Sequence, residues 1–175
     1  YWGHYPVADL EYQMDCPVRV GLRAWAPFVP GDAALSNTPG IVFEVRLRNP
    51  TDRVQQGTVA LSLPGPSALE VSGHTQFEHI PVRGPFEGVV VTNNQGFEYA
   101  LGVANAAGGA AGACRTGGDL GCDGGYWANL GKAKSPFQTT PGLPEALNQP
   151  GASVAVDFEL PAGGASVVRL VLAWY

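Results

Sequence analysis

The sequence predicts an all-β fold, an antiparallel β-sandwich of about eight or nine strands carrying one long glycine-rich loop. Three observations lead there. Apolar and polar residues alternate at period two through much of the chain, as a sheet with one dry and one wet side requires. Turn residues punctuate it every ~8 to 12 positions, the spacing of short strands in a sandwich. With 24 glycines, 15 prolines and only 14% charged residues among 175, the composition disfavours long helices.

Residues 5–14 form the first expected strand, with Pro6, Ala8, Leu10, Tyr12 and Met14 on the inner face and Asp9, Glu11 and Gln13 on the outer. A proline at its start marks a strand beginning or an edge. Residues 17–26 place Val18, Val20, Leu22, Ala24 and Ala26 on one face and Arg19, Arg23 and Trp25 on the other. Residues 41–48 repeat the pattern, with Ile41, Phe43, Val45 and Leu47 opposite Glu44, Arg46 and Arg48. Between these two strands, Pro27, Pro30, Pro39, Gly31 and Gly40 are expected to exclude helix. Asn49-Pro50-Thr51-Asp52 then makes a turn.

Val59, Leu61 and Leu63 alternate in a further strand that Pro64-Gly65-Pro66 stops. Residues 67–84 carry only a weak pattern. Residues 85–92 and 96–104 read as a hairpin, since Asn93, Asn94 and Gly96 tolerate positive φ. Residues 105–151 lose periodicity and form the long loop, a length that usually has a function or stays disordered. Alternation returns with Val154, Val156, Phe158 and Leu160, and the last run, SVVRLVLAWY, is apolar on both faces except at Arg169. That is the mark of a central or doubly covered strand.

A net charge of −5 and only two lysines argue against a nucleic-acid partner. No apolar run approaches the ~20 residues of a membrane span. The chain opens at Tyr1 without an initiator methionine, so it reads as a processed product or a trimmed piece. The compartment stays open, an extracytoplasmic, bacterial-type one being slightly favoured.

No metalloprotease, nucleophile-elbow or phosphate-loop motif occurs, and His4, His74 and His79 are scattered. Phe77-Glu78-His79 reads as a polar turn. Acids at 9, 11, 44, 157 and 159 match arginines at 19, 23, 46, 48 and 169 on strand faces, the pattern of cross-strand charge pairing on a solvated surface. No two acids stand out as a glycosidase pair, and neither a cofactor nor a metal is expected. Asp119 and Asp123 lack the ligand density of a calcium loop.

Cys114 and Cys122 flank CRTGGDLGC and are candidates for a disulfide in an oxidising compartment, which leaves Cys16 over. Trp25, Tyr126, Trp127 and Phe137 are the candidates for contact with a sugar or a partner surface. The alternative is that the long loop folds back and its rings cover the domain's own sheet.

The run YPVADLEYQ…CPVRVGLRAWAPFVPGDAALSNTPGIVFEVRLRNPTD resembles the N-terminal domain of glycoside hydrolase family 116, the β-glucosidases and non-lysosomal glucosylceramidases. Its pattern is a YP-x-A strand, then P-V-x-V-x-L-x-A-x-S-P-F-I-P, a short loop ending in proline, and a strand closing in N-x-x-D. Ala26 stands for the serine and Val29 for the isoleucine. LPAGGASVVRLVLAWY is similar to the family's last strand, and Tyr126, Trp127 and Leu130 to its Trp-x-x-F/L element.

The family's glycine-rich opening is missing, and so is the α/α barrel that bears its acid/base and nucleophile. No catalytic residue therefore carries over. The resemblance implies a single sandwich domain over 1–175, part of a larger N-terminal domain. It would not be an enzyme on its own. Its partner would be a catalytic α/α barrel of the same polypeptide, or further copies of itself, with glycan as a possible ligand. The other reading is a stand-alone carbohydrate-binding or self-assembling module.

Overall fold

The computed structural model describes residues 1–67, 69–71, 73, 76–104, 111–122, 124–130 and 148–175. It holds eleven strands: β1 (Trp2–His4), β2 (Val7–Tyr12), β3 (Arg19–Trp25), β4 (Gly40–Arg48), β5 (Gln55–Leu63), β6 (Glu78–Val82), β7 (Phe86–Thr92), β8 (Glu98–Ala104), β9 (Ala111–Gly117), β10 (Ala152–Leu160) and β11 (Ala165–Trp174). Two short helices join them, α1 (Ala33–Ser36) and α2 (Gly125–Leu130). All pairings are antiparallel: one sheet runs β1-β2-β3-β4-β11-β8-β7-β6, the other β5-β10-β9.

The inward faces follow the alternation. Val20, Leu22 and Ala24 lie opposite Leu47, Val45 and Phe43, and Val168 and Leu170 continue the same rows. Val154, Val156, Phe158 and Leu160 face them from β10, with Val59, Leu61 and Leu63 beside them on β5. β10 packs against β7, β8 and β11, and β9 against β7. The last strand, β11, is central, held between β4 and β8.

Several elements differ from expectation. The first expected strand is shorter than residues 5–14, running only over β2, and a further short strand, β1, precedes it across Tyr5-Pro6, where proline cannot donate to a ladder. One helical turn, α1, does form between Pro30 and Pro39: Asp32 Oδ1 accepts from Leu35 N at 2.9 Å and caps it. Phe77 is a core residue and Glu78-His79 opens β6, so that tripeptide leads into a strand rather than forming a polar turn. The stretch 105–151, expected to be loop, contributes β9 and α2; β9 carries few large apolar residues, so its pairing with β10 rather than its own pattern sets it.

The turn Asn49-Pro50-Thr51-Asp52 closes on a buried clamp. The Asn49 side chain, fully buried, donates to the carbonyls of Arg53 at 2.6 Å, Leu160 at 3.1 Å and Pro161 at 2.9 Å. Its Oδ1 accepts from Thr51 N and Thr51 Oγ1, and its backbone N–H donates to Gly164 O. One amide thus ties the end of β4 to the β10–β11 turn. Asn49→Ala leaves three carbonyls without that donor, and a buried unsatisfied group costs about 1 to 3 kcal/mol. Urea unfolding is expected to show a loss of about 3 kcal/mol. Asn49→Asp keeps the shape but not the donors, so at neutral pH it is expected to fare no better than alanine.

Candidate functional site

The outer face of the large sheet carries the expected charge ladder. Arg23 donates twice to Asp9, at 2.8 and 3.0 Å, and those hydrogen bonds hold the Asp9 carboxyl below its usual range. Arg169 Nε donates to Glu44 at 2.8 Å, and Arg46 lies 3.7 Å from the same carboxylate. In the row beside it, Trp25 lies between Val7 and Val42. There it lines a hollow of about 420 Å³ with His4, Tyr5, Ala8 and Ile41. Tyr1, Trp2 and Tyr5 are strongly exposed nearby in sequence.

The outer face of the small sheet is different. Ser153, Ala155 and Asp157 of β10 point outward, yet all three are buried. Leu120 and Leu130 cover them, packed on Ala155 and Ala60. The covering segment is pinned by hydroxyls: Ser62 Oγ donates to Asp119 at 2.7 Å and accepts from Leu120 N, and Ser153 Oγ donates to Gly118 O at 2.6 Å. Beneath it, Asp157 Oδ1 accepts from Arg115 and from Thr58 Oγ1, each at 2.6 Å. The pairing predicted for Asp157 on a solvated face is therefore a buried one, because α2 and the turn before it roof that face.

Tyr126 and Trp127 sit on α2, 43% and 41% exposed. Trp127 Nε1 donates to Gly121 O at 3.0 Å, so its ring leans on its own loop while one side stays open. Trp127 borders a cleft of about 760 Å³ between the two sheets. Trp25 and Trp127 thus stand at separate hollows. Phe137 and Asp123 lie outside the described residues, as do His74 and residues 131–147. The cleft walls, Val20, Leu22, Phe43 and Val45, are the apolar faces of β3 and β4. Nothing in their alternation says how far the second sheet reaches.

Three carboxylates of the small sheet and its cover serve as structural acceptors: Asp119 for Ser62, Glu159 for Gln56, Asp157 for Arg115 and Thr58. Among the described residues no group of three or more His, Cys, Asp or Glu side chains is placed to hold a metal ion, and no helix is long and apolar enough to cross a membrane.

The cysteines are thiols in this structure, Cys16 and Cys122 exposed and Cys114 half-buried on β9. Burial pushes the Cys114 thiol up to about 11, with the Glu87 charge adding to it. The unfolded chain ionises this thiol first, near 9, so its contribution to stability is present below that pH and lost as pH rises through about 11. In reduced protein at neutral to mildly basic pH, Cys16 and Cys122 are expected to alkylate at least ~10-fold faster than Cys114, because the thiolate is the nucleophile. Peptide mass mapping over a time course checks the order. The Cys114–Cys122 bond expected of an oxidising compartment is read from the same mapping without reductant.

No curated protein matches the chain. A family model does, over residues 1–175, the whole chain; its description is beta-glucosidase 2, glycosyl-hydrolase family 116 N-term. That match and the two-sheet antiparallel architecture agree with the resemblance carried by the strands on either side of residues 27–40. The chain belongs to the N-terminal domain family of the glycosyl-hydrolase family 116 enzymes.

Proposed function

We propose that this chain is a non-catalytic β-sandwich domain that packs on the catalytic α/α barrel of a β-glucosidase-like enzyme and helps shape its sugar-binding cleft. The observation that carries the reading is the family match over the full 175 residues to a domain defined by its place before the catalytic part. The acids agree with it. Asp9, Glu44, Asp119 and Asp157 are each engaged by an arginine or a hydroxyl, whereas a glycosidase pair needs two carboxyl groups facing one sugar ring about 5 to 9 Å apart. Tyr126 and Trp127, half-open on α2, are the rings offered to the barrel or its substrate.

The purified chain is expected to release no product from an aryl β-glucoside. Turnover that survives purification and disappears on substitution of a single Asp or Glu would overturn the reading. In the enzyme that carries this domain, replacing Tyr126 and Trp127 together with alanine is expected to raise KM about fivefold while kcat stays within a factor of two, the signature of lost substrate positioning.

A specific feature favours the second reading, a module that binds carbohydrate by itself. The Trp25 hollow contains Tyr1 and Tyr5, both exposed, and His4, and stacking rings with polar neighbours suit a sugar face. Titration of the chain with cellobiose, followed by tryptophan fluorescence, separates the two. Saturable quenching that Trp25→Ala abolishes would favour the module.

A further inference from the structure

Among the described residues the two sheets are unequal, eight strands against three. The small sheet covers the part of the large one around β11, β8 and β7. Beyond β5 the inner faces of β3 and β4 look into the cleft of about 760 Å³. One wall is Val20, Leu22, Phe43 and Val45.

β5 itself borders the space in an unusual way. Every residue from 55 to 61 lines it. A strand turns alternate side chains to opposite faces, so seven consecutive lining residues mean that its edge, not a face, is presented. Among the described residues no strand pairs with that edge, and no backbone group of a turn or loop bonds to it. β5 (QQGTVALSL) has no charge and no proline, and its register against β10 has no bulge. It lacks the devices by which exposed edges are protected. Trp127 flanks the cleft as well.

We propose that this cleft seats an extended strand of the parent polypeptide from outside residues 1–175, which pairs with the free edge of β5 and continues the small sheet beneath β4, β3 and β2. The inference rests on the reading that the chain is one part of a longer enzyme. The occupant is uncharged and apolar at every second residue, since those side chains meet Val20, Leu22, Phe43 and Val45. A tethered strand fits better than a second copy. Two β5 edges paired about a two-fold axis would place both large sheets on the same side of the joined sheet. The β1–β3 overhang of each would then meet the β4 and β11 of the other. A permanently attached strand also fits a cleft lined by core residues, Leu47, Phe158 and Leu170 among them, which a soluble protein does not leave open.

Hydrogen exchange and thiol labelling test this in the chain 1–175 and in the longer enzyme that contains it. In the isolated chain, the peptide covering 55–63 is expected to hold amides that exchange without protection. In the longer enzyme these amides are expected to slow at least ~100-fold. Cys16, exposed on the rim of the cleft, is expected to alkylate at least ~10-fold more slowly there, relative to exposed Cys122 as internal control. The proposal falls if either readout is unchanged between the two proteins. It also falls if the isolated chain already protects β5. Protection independent of protein concentration would mean that the chain fills its own cleft, and protection that grows with concentration would mean a second copy. An open β5 in an enzyme whose KM still responds to the Tyr126 and Trp127 substitutions would remove the strand and leave the domain reading standing.

Discussion

The architecture depends on how the apolar face of an eight-stranded sheet is kept from water. Each valine or leucine taken fully out of water contributes about 1.5 to 3 kcal/mol, and that face carries such residues on β3, β4, β11, β8 and β7. Three strands cannot cover eight. Val154 and Val156 of β10 are fully buried because they sit at the middle of the contact, against β8, β7 and β11. Val20, Leu22 and Val45, under the same alternation, stay half-buried because nothing described lies beneath them. The cleft follows from this mismatch of sheet widths.

The same arithmetic separates the two outer faces. On the large sheet the face is partly solvated, and Asp9, Arg23, Glu44 and Arg169 form a ladder whose members each keep contact with water. Screening limits what such pairs add to stability. On the small sheet, the segment from Gly118 through α2 closes over β10, and Asp157 lies with Arg115 in a dry setting. Removing one member of a buried pair costs several times what an exposed pair contributes. The second pair therefore constrains the fold, while the first decorates it.

Glycines matter most where strands approach closely. Gly57 lies directly across from Phe158, and a Cβ there would meet the ring at 2.6 Å. The bare backbone lets Phe158 lie flat on β5 and form part of the cleft. Gly102 does the same for Phe86, whose ring would stand 2.4 Å from an added Cβ. The first site shapes a wall of the cleft, and the second serves packing alone.

Period-two alternation was enough to determine the strand faces: Val20 and Leu22 inward, Arg23 and Trp25 outward, β11 at the centre. It also carried the family resemblance, since the quoted motifs are strand faces and their turns. The β9 strand was not legible, because Ala111–Gly117 is small and polar and becomes a strand only by pairing with β10. Nor was the burial of Asp157, which depends on Leu120 and Leu130 from far along the chain. The cleft was least legible of all. Alternation states which face a residue is on, but strand order and relative sheet width are long-range quantities, and they alone decide whether that face meets a second sheet or an open space beside β5.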